Sequence, residues 1–166
     1  GISLTNVRNA TVNNCDVSRV SSNGYGILVS YSSDVLLSSN IIRSGNGDNG
    51  IWVYYSTRIT ITDNWISEPT NPGMTCLFID HMYDSYISSN TFNGSGYGIW
   101  AEYLGNSLVW NNIISNITDD YALYFTNSNT NLLYHNIFEN NAVGHAYEDT
   151  SSNDWDDGIS QGNYWD

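Results

Sequence analysis

The chain has 166 residues, of which 40% are hydrophobic and 14% aromatic, and its formal net charge is −13. This composition excludes a disordered chain, and the acidity argues against a nucleic-acid partner because it repels phosphate backbones. No run of about 18 apolar residues exists, so we expect no membrane insertion. The opening segment Gly1–Leu4 already predicts a strand, and we expect the chain to be a mature form or a piece of a longer protein.

The charges are unevenly distributed along the chain. Residues 1–58 hold four arginines and three acids, whereas residues 59–166 hold fourteen acids and neither Arg nor Lys. Cations, neutral sugars and other proteins therefore remain as partner classes.

A repeat dominates the rest of the sequence. Asparagine recurs at intervals of 24, 26, 22 and 24 residues, at Asn40, Asn64, Asn90, Asn112 and Asn136. Fourteen residues before each of these stands a small residue that precedes an apolar strand, namely Gly26, Gly50, Cys76, Gly98 and Ala122. Short strands at this period predict an all-β, single-domain, right-handed parallel β-helix of about six to seven coils.

The register divides the chain into coils at residues 1–141 and an incomplete last coil with a C-terminal cap at residues 142–166. The recurring Asn is expected to adopt the left-handed turn conformation and to bond the Asn above and below. Cys15 takes the Asn position of the first coil. Three coils, about 14 Å, separate it from Cys76, so we expect no disulfide between the two cysteines.

Several segments resemble a known family. They are the Gly-Ile-x-Val strands, the run Ile59–Ile66, the run Asn111–Ile114 and the closing segment Asn153–Asp166. Together they resemble the NosD-like, or CASH-type, right-handed β-helix family of archaeal and bacterial surface proteins. The resemblance covers essentially the whole chain and implies the fold more specifically than the function, since this family carries many activities.

Alternation within the strands predicts which side chains face outward. The first and third positions after each small residue are apolar and should face the core, so the second and fourth should face solvent. The second position holds aromatic residues in four successive coils, Trp52, Phe78, Trp100 and Tyr124, with Tyr54 at a fourth position. An exposed aromatic column suits a sugar or another protein, although strand propensity alone also favours these residues.

Two carboxylates, Asp80 and Glu102, occupy the fourth position of adjacent coils. Their predicted separation of about 5 Å is close to that of the catalytic pair in retaining glycosidases. Any two stacked acids share this spacing, so a cation site or a solvated pair are the alternatives. A lyase is disfavoured, because every arginine precedes residue 59.

Metal sites are weakly indicated. Met74, Cys76, His81 and Met82 form a soft-ligand cluster in sequence, and the NosD resemblance implies a link to copper-site maturation. No tight ligand spacing supports such a site, and no metal site is predicted. Three aspartates near the end, Asp154, Asp156 and Asp157, leave calcium as the one possible cofactor.

The sequence thus favours an extracellular or cell-envelope scaffold that assembles through contacts with its own copies or with envelope proteins. Three glycosylation sequons, beginning at Asn9, Asn93 and Asn116, agree with that location. The alternative is a carbohydrate-binding or glycoside-hydrolase-like domain with polysaccharide as its partner. Whether the chain is an enzyme stays open, with a non-enzyme favoured.

Overall fold

A computed structural model describes residues 1–18, 24–45, 49–69, 74–94, 96–159 and 162–166. Within these residues the chain forms short parallel strands and no helix. In particular, the described part contains no helix with the length and apolarity required to cross a membrane.

The strands stack into three faces. The first face contains β1 (Ile2–Thr5), β4 (Tyr25–Ser30), β7 (Asn49–Thr62), β9 (Thr75–Tyr83), β12 (Tyr97–Gly105), β15 (Tyr121–Thr126) and β18 (Gly144–Asp149). The second contains β2 (Arg8–Asn13), β5 (Ser33–Ser38), β10 (Tyr86–Ser88), β13 (Leu108–Trp110), β16 (Asn129–Tyr134), β19 (Ser152–Asp154) and the second half of β7. The third contains β3 (Asp16–Ser18), β6 (Ile41–Gly45), β8 (Trp65–Pro69), β11 (Thr91–Asn93), β14 (Ile113–Ser115), β17 (Ile137–Glu139) and β20 (Tyr164–Trp165).

The strand register confirms the predicted fold class and repeat. Ile27 pairs with Ile51, and the same row continues through Leu77, Ile99 and Leu123. Residues 142–166 supply β18, β19 and β20, each paired with the preceding coil, and the pairing of β19 with β16 contains a register shift. The division of the chain at residue 141 stays a prediction.

The core follows the predicted alternation. The first and third strand positions are fully buried throughout, at Ile27, Val29, Ile51, Val53, Leu77, Ile79, Ile99, Ala101, Leu123 and Phe125. Parallel pairing places these apolar side chains above one another, so each coil buries its hydrophobic face against the next.

The asparagine ladder is internal, as predicted. Asn64 is nearly fully buried, and its Nδ2 donates to Asn90 Oδ1 at 2.9 Å while its backbone N–H donates to the same oxygen at 3.0 Å. Asn163 of the closing segment extends the ladder by accepting from Asn136. The expected left-handed conformation was wrong for these residues. It belongs to the preceding turn residue, such as Ser39 or Asp63, because the buried Asn must aim its amide inward.

The small residue that begins each coil lies against the third face. A Cβ at Gly50 would be 2.4 Å from Cγ2 of Ile66, and Gly26 and Gly98 face isoleucines in the same way. Where the small residue is Cys76 or Ala122, the residue sixteen positions later is Phe instead of Ile. A phenylalanine lacks the β-branched methyl group, so it leaves room for the extra side-chain atom.

The arginines are paired with acids of the same N-terminal half. Arg58 makes a two-pronged contact with Asp34 at 2.6 and 2.9 Å, and Arg8 lies 3.8 Å from Asp34. Arg43 pairs with Asp16 at 2.7 Å, and Arg19 lies outside the described residues. These ion pairs join successive coils.

Candidate binding face

The predicted aromatic column, which we call the strand column, lies on the first face. Trp52, Phe78, Trp100 and Tyr124 are register partners in successive coils. The ring centroids of Trp52 and Phe78 are 5.8 Å apart, those of Phe78 and Trp100 5.2 Å, and those of Trp100 and Tyr124 5.9 Å. Four coils therefore present one continuous row of rings.

These rings are half-buried, because further aromatic residues pack beside them. Tyr25 lies edge-on against Trp52 at 5.6 Å, and Tyr97 packs against Trp100 at 5.0 Å. Tyr147 stacks on Tyr124 at 5.1 Å and extends the column into the last coil. Sequence reasoning missed these three rings, although all occur in the first-face strands. The indole Nε1 atoms of Trp52 and Trp100 are buried and make no hydrogen bond.

A polar column runs beside the strand column at the fourth strand position. Tyr54, Asp80 and Glu102 are register partners in adjacent coils, as predicted. Asp80 Oδ1 lies 2.5 Å from Nδ1 of the next residue, His81. The two carboxylates therefore share one face with the rings, and Asp80 has a specific partner that the sequence did not suggest. Their proposed catalytic role stays a prediction.

A second row of rings, which we call the turn ladder, follows directly after the polar column. It consists of Tyr31, Tyr55, His81 and Tyr103 in successive coils. Tyr55 and His81 stack at 4.2 Å with their planes 9° apart, and His81 and Tyr103 stack at 4.3 Å. Tyr31 is 55% exposed, Tyr55 47% and Tyr103 40%. The turn tyrosines are thus more accessible than the half-buried strand column.

Every member of the turn ladder has a left-handed backbone, with φ between 45° and 63°. Bulky residues rarely adopt this conformation, because the Cβ atom crowds the following carbonyl. The same turn position holds Asn6 in the coil before and Asn127 in the coil after, both also left-handed. Sequence reasoning missed the ladder, since strict alternation predicts that the residue after the fourth position faces inward.

Hydrogen bonds, desolvation and nearby carboxylates raise the pKa values of tyrosines on this face. A hydrogen bond with Tyr31, helped by desolvation and by the charge of Asp80, raises the pKa of Tyr54 to about 12. Desolvation and a hydrogen bond with Asp120 raise the pKa of Tyr97. Desolvation, followed by Tyr147 and nearby carboxylates including Asp149, raises the pKa of Tyr124. Each phenol therefore stays neutral at ordinary pH and can donate a hydrogen bond.

The other candidate sites do not come together in the fold. Cys76 and Met82 are buried in the core, whereas His81 is in the outward turn ladder, so the soft-ligand cluster of the sequence is not a cluster in space. Asp156 accepts a hydrogen bond from its own turn, at the backbone N–H of Gly158. Within the described ranges, no three His, Cys, Asp or Glu side chains are grouped so that they could hold a metal ion.

Two depressions differ in their relation to the rings. One of about 370 Å³ on the second face is lined by Asp84, Tyr86, Asn106 and Leu108, among others. Another of about 340 Å³ is lined by Tyr147, which extends the strand column, together with Glu148, Trp155 and Trp165, among others. Neither is lined by Asp80, Glu102 or the turn ladder.

A family model described as "Right handed beta helix region" matches residues 1–157. The chain belongs to the right-handed β-helix family. In this β-helix protein the match covers all three faces and ends inside the closing segment, before Tyr164 and Trp165. No curated protein matches the sequence.

Proposed function

We propose that this β-helix protein is an extracellular or cell-envelope scaffold that contacts another protein through its aromatic face. We define the aromatic face as the strand column, the polar column of Tyr54, Asp80 and Glu102, and the turn ladder. The observation that carries the proposal is the continuity of exposed and half-buried rings over four coils of a rigid solenoid. Tyr and Trp are enriched at protein interfaces because they bury a large area with little loss of side-chain freedom.

The envelope location is supported by the resemblance to NosD-like surface proteins and by the sequons. Asn9 in β2 and Asn116 after β14 are both exposed and have a left-handed backbone, so either amide is accessible to a glycosyltransferase. The third sequon ends at Ser95, which lies outside the described residues. Assembly into layers or filaments would follow if the partner is another copy of the chain.

A photo-reactive residue tests the proposal. A benzoyl-phenylalanine in place of Tyr55, in cells that produce the protein, should crosslink to a protein when illuminated. The matched control is the same residue in place of Tyr86, which is 46% exposed on the second face. A protein adduct at position 55 but not at 86 supports a specific contact, and an adduct of two identical chains identifies self-assembly. Equal adducts at both positions, or none, would refute the proposal.

A carbohydrate-binding domain is the second candidate. The observation that favours it is the position of Asp80 and Glu102 next to aromatic rings, since carboxylates accept hydrogen bonds from sugar hydroxyls. A soluble-glycan array with the wild-type chain and the variant Asp80→Asn/Glu102→Gln separates the two functions. Glycan binding that the variant loses would establish the carbohydrate function. Product formation from a bound glycan would establish a hydrolase.

A further inference from the structure

The left-handed backbone of the turn ladder is unfavourable for bulky side chains, and the fold itself does not require aromatic residues there. Asn6 and Asn127 show that asparagine serves the same turn in neighbouring coils. Asparagine tolerates the left-handed region, whereas tyrosine is strained in it. Left-handed turns recur elsewhere in the solenoid at residues other than Asn, such as Arg58 and Thr130, so the feature particular to the turn ladder is its run of four stacked rings in consecutive coils.

The stacking within the turn ladder determines what it can bind. Because His81 is sandwiched between Tyr55 and Tyr103, its two ring faces are covered. Sugar rings stack on open aromatic faces, and the interior of this ladder offers edges instead. The residues of the turn ladder directly follow those of the polar column, where the Asp80 and Glu102 carboxylates can accept hydrogen bonds. Long side chains with an apolar stem and a cationic head fit such a surface.

The chain itself contains an arginine that contacts both a ring and a carboxylate, in this case over the ring face. The guanidinium of Arg43 lies 5.4 Å from the ring centroid of Trp65 while it bonds both oxygens of Asp16 at 2.7 and 2.9 Å. One arginine thus joins a ring and a carboxylate contributed by different coils of the solenoid.

The aromatic face contains neither Arg nor Lys, and the sequence after Arg58 has none of either. Its one basic member is His81, whose Nδ1 lies 2.5 Å from Oδ1 of Asp80. The row of the polar column continues through Thr126 to Asp149, which adds a third acid two coils beyond Glu102. Desolvation and neighbouring tyrosines raise the pKa values of Tyr54 and Tyr124, and nearby carboxylates add to the increase.

From these observations, and building on the proposed protein contact, we infer that the aromatic face binds an extended basic segment of a partner protein. Its arginine or lysine heads would lie over Asp80 and Glu102, and their stems would pack along the edges of Tyr55 and Tyr103. From Asp80 to Asp149 the row spans three coil steps, or about 14 Å. An extended peptide covers this distance in about four residue steps, so basic residues at positions i, i+2 and i+4 are within reach of the three acids.

Binding of a defined peptide to the purified chain tests the inference. The probe is a fluorescein-labelled octapeptide of alternating Arg and Ser, and the comparison probe has Glu in place of Arg. We expect saturable binding of the Arg peptide by fluorescence anisotropy and none of the Glu peptide. Binding should weaken as salt is raised, since ion pairing contributes to it.

Two variants separate the contribution of the rings from that of the charges. Tyr55→Asn/Tyr103→Asn removes two rings and keeps residues that tolerate the left-handed turn, and it should weaken binding at least tenfold. Asp80→Asn/Glu102→Gln keeps every ring and should weaken binding by a similar factor. The controls are Tyr86→Asn and Asp63→Asn, an exposed ring and an exposed acid outside the aromatic face, which should bind as the wild type does.

The outcomes distinguish this inference from the proposed function. An Arg peptide that fails to bind at millimolar concentration, or that binds the ring variant as tightly as the wild type, overturns the basic partner. Photo-crosslinking at position 55 can still succeed in that case. The proposed function would then be kept, and its partner would not be a basic segment. If the ring variant is unfolded by circular dichroism, the charge variant alone decides, and undiminished binding to it refutes the inference. Loss of glycan binding in both variants would assign the face to sugars instead.

Discussion

Two ladders run along this solenoid, and they differ in almost every physical respect. The asparagine ladder, Asn40 to Asn163, is buried and links each coil to the next by side-chain and backbone hydrogen bonds. The turn ladder, Tyr31 to Tyr103, is exposed, strained in its backbone and held by stacked rings. Repetition alone therefore does not reveal what a ladder is for. Burial with satisfied polar groups indicates a structural role, whereas exposed aromatic rings in consecutive coils indicate a contact surface.

The largest expected effect is the loss of one member of the asparagine ladder. In Asn90→Ala, the backbone N–H of Asn64 loses its acceptor, while Asn64 Nδ2, Ile61 O and Asn112 Oδ1 each lose one partner. A buried group left unpaired costs about 1–3 kcal/mol, so we expect about 3 kcal/mol of lost stability in urea unfolding. The control Asn129→Ala, at an exposed strand position, should change the stability by less than about 0.5 kcal/mol. Equal losses in the two variants would contradict a structural role for the ladder.

A smaller loss is expected where the coil start meets the third face. Gly50→Ala places a Cβ 2.4 Å from Cγ2 of Ile66 and 2.6 Å from the carbonyl oxygen of Cys76, and overpacking of this kind costs about 1–3 kcal/mol. Adding Ile66→Phe imitates the Ala122 and Phe138 combination and should recover part of the loss. A double-mutant cycle by urea unfolding measures the coupling. Additive effects would show that the Gly–Ile and Ala–Phe combinations are unrelated.

The turn ladder should respond oppositely to the asparagine ladder. Tyr55→Asn relieves about 1–2 kcal/mol of backbone strain and loses ring contacts of similar size, so the melting temperature should change little. Tyr55→Val loses the same ring but keeps a strained, β-branched residue, and it should be about 1–2 kcal/mol less stable than Tyr55→Asn. If both variants lose as much stability as Asn90→Ala, the turn ladder is structural and the proposed binding face loses its main support.

The smallest expected effect concerns the ion pair between Arg58 and Asp34. The hydrogen bond from Arg58 lowers the pKa of Asp34 from 3.8 to about 2. This contact therefore stabilises the fold above pH 3.8, and its contribution is lost as the pH falls towards 2. Asp34→Asn should melt slightly below the wild type at pH 6, and most of the difference should be lost by pH 2. A difference at pH 2 as large as the one at pH 6 would assign the effect to the turn conformation and not to the charge.

Much of the fold could be predicted from the sequence, because a few residue types recur at equivalent positions of each coil and their spacing gives the register of the solenoid. The recurring Asn and the small residue fourteen positions earlier fixed the coils, and alternation placed Ile51 and Val53 inside and Trp52 and Tyr54 outside. The same alternation brought Asp80 and Glu102 together in adjacent coils. These predictions succeeded since each depends only on period-2 geometry and on stacking of equivalent positions.

What the tertiary structure alone decided is the direction of the chain at each turn. A left-handed residue reverses the alternation, so Tyr55 faces solvent and the next residue, Ser56, is buried. Sequence spacing could not show this, because φ at one residue is set by hydrogen bonds to the coils above and below. For the same reason it could not predict that His81 would meet Asp80 and stack between Tyr55 and Tyr103. The sequence by itself determined the repeat and the core, while inter-coil packing decided which rings face outward and what stands beside them.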